Sequence, residues 1–181
     1  MQEALGLAAQ ALFLSNPNPR VGCVLVGRSG QIIGRGFTQQ AGGAHAEVMA
    51  LRDAAAQGHS TQGATAYVTL EPCAHHGRTG PCCEALIAAG VAQVVGALTD
   101  PNPQVAGQGF ARLQAAGVAV EVGPGAAASR ALNIGFFSRM ERGCPWVRLK
   151  PPPPAVGPPP RAMGPPLGFP PPRPRAGPPP G

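Results

Sequence analysis

An abrupt change of composition at Lys150 limits which part of this chain can fold. Of the 31 residues that follow, 16 are Pro, and Pro, Gly, Arg and Ala together account for 27. Such a stretch has few backbone donors for a helix or a ladder and few apolar side chains to bury, so 151–181 is expected to be an extended, disordered tail. Proline runs also fill aromatic grooves as a polyproline helix, but a tail without a partner is the simpler reading. Pro, Gly, Arg and Ala share codons that begin with two G or C bases. A shifted reading frame in a GC-rich gene would therefore account for the break, and sequencing the locus tests it. The body is residues 1–150, long enough for one domain with its own core.

Half of the formal net charge of +6 sits in the tail, which carries Arg161, Arg173 and Arg175 and no acid. The body keeps a mild positive excess without a Lys/Arg run, which does not by itself argue for nucleic-acid binding, and no nucleic-acid partner is expected. No apolar run reaches the ~18 residues of a membrane span. The first residues, MQEALGLAAQALFL, lack a basic n-region and read as an amphipathic helix, not as a signal peptide. The five Cys are odd in number and follow no disulfide pattern. They point to a reducing compartment, the cytoplasm, with thiolates available for a metal.

The body alternates two periodicities. Residues 2–14 read as a helix, with Leu5, Ala8 and Leu12 on one face. Residues 21–26 and 31–37 read as a hairpin around Arg28-Ser29-Gly30. Helices are predicted over 45–57, 81–89, 108–116 and 126–140, and strands over 65–70, 92–98 and 118–122. Gly90 and Gly117 stop two of the helices. Strands alternating with helices predict an α/β fold with the sheet covered on both faces.

His45-Ala46-Glu47 opens the 45–57 helix, Pro72-Cys73 follows the 65–70 strand, and Pro81-Cys82 opens the next helix. One His, two Cys and a Glu two residues after the His are the parts of a zinc site that activates water and moves protons. A neutral imidazole and two thiolates balance Zn²⁺ and leave a fourth position open, which marks catalysis and not a structural site. Glu47 is not a ligand in this scheme; it carries the proton from the water to the leaving group. The positive end of a helix favours thiolate over thiol and is expected to activate Cys82. Residues 74–81, between the two Cys, are polar, Gly-punctuated and cationic at Arg78, which suits a polar or anionic substrate. A structural zinc stays open as an alternative, with Cys83, His75 or His76 as fourth ligand, although such a site has no use for Glu47.

The stretches 16–22 (NPNPRVG), 42–48 (GGAHAEV), 69–82 (TLEPCAHHGRTGPC) and 100–107 (DPNPQVAG) are together similar to the deaminase half of the bifunctional riboflavin-biosynthesis deaminase/reductase family. The resemblance covers the chain up to Lys150. It implies a cytidine-deaminase-like, three-layer α/β/α sandwich around a five-stranded mixed sheet. It also implies one zinc per chain on His45, Cys73 and Cys82, with Glu47 as the catalytic proton carrier. The implied substrate is 2,5-diamino-6-ribosylamino-4(3H)-pyrimidinone 5′-phosphate. Water attacks the ring carbon bearing the 2-amino group, and ammonia leaves. Asn18, His75, Arg78, Asp100 and Asn102 are then candidates to hold the pyrimidine and the ribose phosphate. A homo-oligomer is expected.

This chain departs from the family in two ways. Many relatives carry a His where it has Thr38, so one substrate contact is missing or replaced by a hydroxyl. The family also continues past 149–150 into a reductase domain, where this chain has prolines. NADPH is therefore expected only for that missing domain, and reductase activity is not assigned. Competing readings are a deaminase for another base (cytosine, guanine or tRNA adenine) and an inactive remnant held by structural zinc. The weak field and the lack of a basic–aromatic surface disfavour tRNA. Plainer roles also stand: Asn18 and Asn102 lie in Asn-Pro turns, and Asp100 suits a cap. Arg78 and His76 suit solvent, and His59 reads as exposed. Cys23 and Cys144 read as small buried groups, and Trp146 as packing on the side where a second domain would follow.

Overall fold

Small residues on two neighbouring elements set the centre of the fold. In the computed structural model, which describes residues 1–75, 80–103 and 105–149, β1 (Gly22–Val26) and β2 (Ile32–Phe37) pair antiparallel. Gly34 and Gly36 of β2 face α2 (Ala46–Ala56), whose Ala46, Ala50 and Ala54 are fully buried at every fourth position. A helix face of single methyl groups thus lies on a strand face without side chains, and the two backbones approach closely. A Cβ at Gly36 would overlap the Ala46 carbonyl oxygen and the Ala50 nitrogen. Gly36→Ala is therefore expected to cost about 1–3 kcal/mol by overpacking. A lowered thermal midpoint checks this, and an unchanged midpoint contradicts it.

On the other side of β1, β3 (Thr65–Val68) pairs antiparallel, and β4 (Gln93–Gly96) and β5 (Ala119–Val122) follow in parallel. The strand order is β2-β1-β3-β4-β5. Parallel neighbours need crossovers, and α3 (Cys82–Ala88) and α4 (Gln108–Ala115) supply them. These two helices and α2 contact one another in series and form one layer. On the opposite face α1 (Gln2–Gln10) packs so closely that a Cβ at Gly22 would overlap the Ala4 carbonyl oxygen, and α5 (Ala126–Leu132) lies beside it. The fold is the expected three-layer α/β/α sandwich on a five-stranded mixed sheet. Its main core joins Leu25, Ile33, Val68 and Val94 of the sheet to Leu86, Phe110 and Leu113 of the helices. Among the described residues no helix is long and apolar enough to cross a membrane.

Two predicted helices end earlier than their patterns suggest. The 2–14 helix stops at Gln10; Ser15 bonds back to the Ala11 carbonyl, and Leu12 and Phe13 are exposed at 49% and 96%. The 126–140 helix is two, α5 and α6 (Ile134–Arg142), broken at Asn133. The Asn133 side chain bonds to Ser129 O and to the backbone of Arg20, so it competes with the helix ladder. Cys144, expected to be buried, is exposed just past the Gly143 cap, while Cys23 is buried as expected. The folded body is one compact unit, Met1–Val147. The predicted tail 151–181 lies outside the described residues, as do His76 and Arg78.

Candidate active site

The N-termini of α2, α3 and α4 meet beyond the C-terminal ends of β3 and β4, the crevice where α/β sheets bind ligands. His45 is the N-cap of α2, and Glu47 lies in its first turn. Cys82 is the first residue of α3, after the N-cap Pro81. Cys73 sits in the loop after β3. Its carbonyl accepts the Cys83 N–H at 3.2 Å, and this folds the loop onto α3. The Cys82 Sγ lies 3.2 Å and the Cys73 Sγ 3.6 Å from His45 Nδ1. The three donor atoms all lie within 4.8 Å of one another.

A tetrahedral zinc, with Zn–S of about 2.3 Å and Zn–N of about 2.0 Å, separates its ligands by roughly 3.5–3.8 Å. The donor set therefore fits this metal in both type and spacing. Among the described residues the cluster has three members. Cys83 packs into the apolar core and His75 is exposed, so neither stands as a fourth donor.

Charge is distributed unevenly over the cluster. Glu47 is 3% exposed, and burial pushes its carboxyl up to about 7, with the nearby Cys73 adding to the rise. A carboxyl with a pKa near neutrality is suited both to take and to give a proton. Cys73 is held down to about 4, first by a hydrogen bond from the Cys82 thiol and further by His45 and by the Cys82 N–H at 3.3 Å. Cys82 donates that bond, is the more deeply buried of the two, and is pushed up. His45 is raised, first through its bond with Cys73. The sequence expectation directed the helix end at Cys82; in the structure the first N–H of α3 is donated to the sulfur of Cys73.

A cavity of about 200 Å³ opens over the cluster. His45, Glu47 and Cys73 line its floor side, and Asn18, His75, Asp100 and Asn102 line its walls. Cys82 is buried, and Arg78 lies outside the described residues. Asp100 serves a turn as well as the cavity, since its Oδ1 accepts the Asn102 N–H at 2.8 Å. Burial raises its pKa. Thr38 also lines the cavity, but its hydroxyl accepts the Val21 N–H at 3.1 Å and donates to the Val21 carbonyl at 3.3 Å. Its single proton is therefore committed to the β1–β2 hairpin.

Three residues that the sequence reading passed over shape this cavity. Phe136 lines it from α6. Asn133 accepts the Arg20 N–H at 2.7 Å and donates to the Arg20 carbonyl at 2.9 Å, and so fixes the loop that carries Asn18. Glu71 lines the cavity beside Cys73. Its one sequence signal was its place directly before Pro72-Cys73. A larger depression of about 460 Å³, bordered by Leu12, Phe13 and the half-exposed Trp146, contains no member of the donor cluster.

A mixed five-stranded sheet with a His/Cys/Cys cluster and a buried Glu at helix N-termini is the architecture of the zinc deaminases. Residues 1–98 match the family model of the cytidine and deoxycytidylate deaminase zinc-binding region. The chain is 57% identical over 150 residues to the riboflavin biosynthesis protein RibD of Escherichia coli (strain K12), covering 83% of this chain and 40% of the relative. It is 46% identical over 145 residues to the diaminohydroxyphosphoribosylamino-pyrimidine deaminase of Buchnera aphidicola subsp. Acyrthosiphon pisum, covering 80% of this chain and 96% of that protein. A solved structure of Acinetobacter baumannii RibD superposes with a TM-score of 0.75 at 53% identity, over 80% of this chain and 40% of that one. The chain belongs to this deaminase family, in the branch of the riboflavin-biosynthesis deaminases. It spans about 40% of the length of the RibD relatives.

Proposed function

We propose that residues 1–150 form a hydrolytic deaminase that releases ammonia from 2,5-diamino-6-ribosylamino-4(3H)-pyrimidinone 5′-phosphate. The observation that carries this reading is the buried Glu47, held near neutrality beside a three-donor cluster at the floor of one cavity. His45, Cys73 and Cys82 would hold zinc. When bound, zinc lowers the pKa of a coordinated water toward neutrality and so supplies a nucleophile. Glu47 would take a proton from the attacking water as the water oxygen bonds to the ring carbon bearing the 2-amino group. The same carboxyl then gives the proton to the amine nitrogen as the C–N bond breaks, and it returns to its starting charge. Asn18, His75, Asp100 and Asn102 hold the ring. The name and length of the Buchnera relative support both the substrate and the sufficiency of a body this size. NADPH and reductase chemistry are not part of the reading, which takes the protein as a cytoplasmic homo-oligomer without nucleic-acid or membrane partners.

The test is ammonia release from this substrate by the zinc-loaded full chain, with residues 1–150 assayed beside it. Equal release by both is expected. Zinc-loaded protein that releases ammonia from cytosine or guanine nucleotides but not from this substrate would replace the reading with another deaminase. Arg78 is read as the phosphate contact on the strength of its charge. Arg78→Ala is expected to raise KM about tenfold or more for the phosphorylated substrate, the effect of losing one hydrogen bond to a charged group. Its KM for the dephosphorylated analogue should hardly move; equal changes would remove Arg78 from the phosphate.

A further inference from the structure

Glu71 is a buried acid with an unusual set of partners. It is 4% exposed, and among the described residues it joins no ion pair. Instead it accepts three backbone N–H groups from the segment that follows β4. Oε2 takes the N–H of Asp100 at 3.0 Å and that of Gly107 at 2.9 Å, while Oε1 takes that of Gly109 at 2.8 Å. Bonds of this charge-assisted kind are what make a buried carboxylate tolerable.

Gly107 is the N-cap of α4, and Gly109 lies in its first turn. The carboxylate of one loop therefore caps a helix reached through another, at the end where the helix dipole favours an anion. Contact is tight: a Cβ at Gly109 would overlap the Pro72 carbonyl oxygen. The loop from Asp100 to Gly107 is held at both ends by the same oxygen. Asp100 itself, with Asn102 and Val105, lines the cavity wall. Two residues beyond Glu71 comes Cys73.

We infer that Glu71 is a positioning residue, which sets the separation between the Cys73 donor and the wall carrying Asp100 and Asn102 and acts on substrate binding through that wall. The inference deepens the deaminase reading and rests on it. A glutamine has nearly the same shape but only one acceptor oxygen. With three N–H groups converging on the side chain, at least one then faces an NH₂ group.

The experiment uses the full chain with Glu71→Gln and, from the other side of the contact, Gly109→Ala. Zinc content, amide hydrogen exchange, kcat and KM are measured for each. Zinc is expected to stay near one per chain. Exchange is expected to accelerate at Asp100, Gly107 and Gly109 while the β1 amides stay protected. KM should rise about tenfold or more, with a smaller change in kcat, as lost charge-assisted bonds loosen the wall. In a double-mutant cycle, Glu71→Gln and Asn102→Ala should be non-additive in KM, because one acts through the other. An unchanged KM, additive effects, or zinc lost in step with activity would overturn the inference. If wild-type protein releases no ammonia, the deaminase reading has failed, and unchanged exchange at the three amides then separately refutes the anchor.

Discussion

Glu47→Gln is expected to lower kcat for ammonia release by about 10²–10⁴-fold, the usual weight of a positioned acid–base group, while zinc stays bound. Metal retention follows from the geometry, since the three donors are His45, Cys73 and Cys82 and Glu47 is not one of them. The fold should also survive. Burial already pushes this carboxyl to about 7, so a neutral side chain of the same shape is no stranger to the site than the native protonated form. An amide cannot ferry the proton from water to amine. Zinc content, thermal midpoint and ammonia release on one preparation check the three statements together. Native activity in a zinc-loaded Glu47→Gln protein would remove Glu47 from the reaction.

Cys82→Ala is expected to lose both zinc and activity. An apparent binding energy of about 10–16 kcal/mol for a four-ligand zinc site gives each donor roughly 3 kcal/mol, more than 100-fold in affinity. The loss should be larger where three protein donors hold the ion. Cys83→Ala, one residue along, is the control. Cys83 lies in the apolar core, so its replacement should lower stability and leave zinc in place. Zinc measured after dialysis, together with ammonia release, distinguishes the two variants. Metal lost from Cys83→Ala but retained by Cys82→Ala would revive the structural-zinc reading.

The donor cluster was legible in the sequence because each donor is tied to a local signal. His45 and Glu47 open a helix whose apolar face repeats at helical spacing, and Cys73 and Cys82 each follow a Pro, the first in the loop after β3 and the second the N-cap of α3. The layer order was legible because strand and helix periods alternate along the body. The ends of α1 and α5 were not, since the polar side chains of Ser15 and Asn133 redirect the backbone there against the apolar pattern. The partner of the first N–H of α3 was not legible for a related reason. A helix N-terminus announces a positive end, but only the fold determines which sulfur its first N–H reaches.

Taken alone, the order of residues picked out the three metal-type donors and the acid beside them, and the elements on which they sit. These follow from residue type and short-range period, and both are local. Only the tertiary structure decided how the cavity is walled. Glu71 reaches amides that lie 29 to 38 positions further on, and Asn133 clasps Arg20 across 113. No periodicity records such bonds, because they exist only once the sheet has brought the ends of β3 and β4 side by side and α5 has packed against α1.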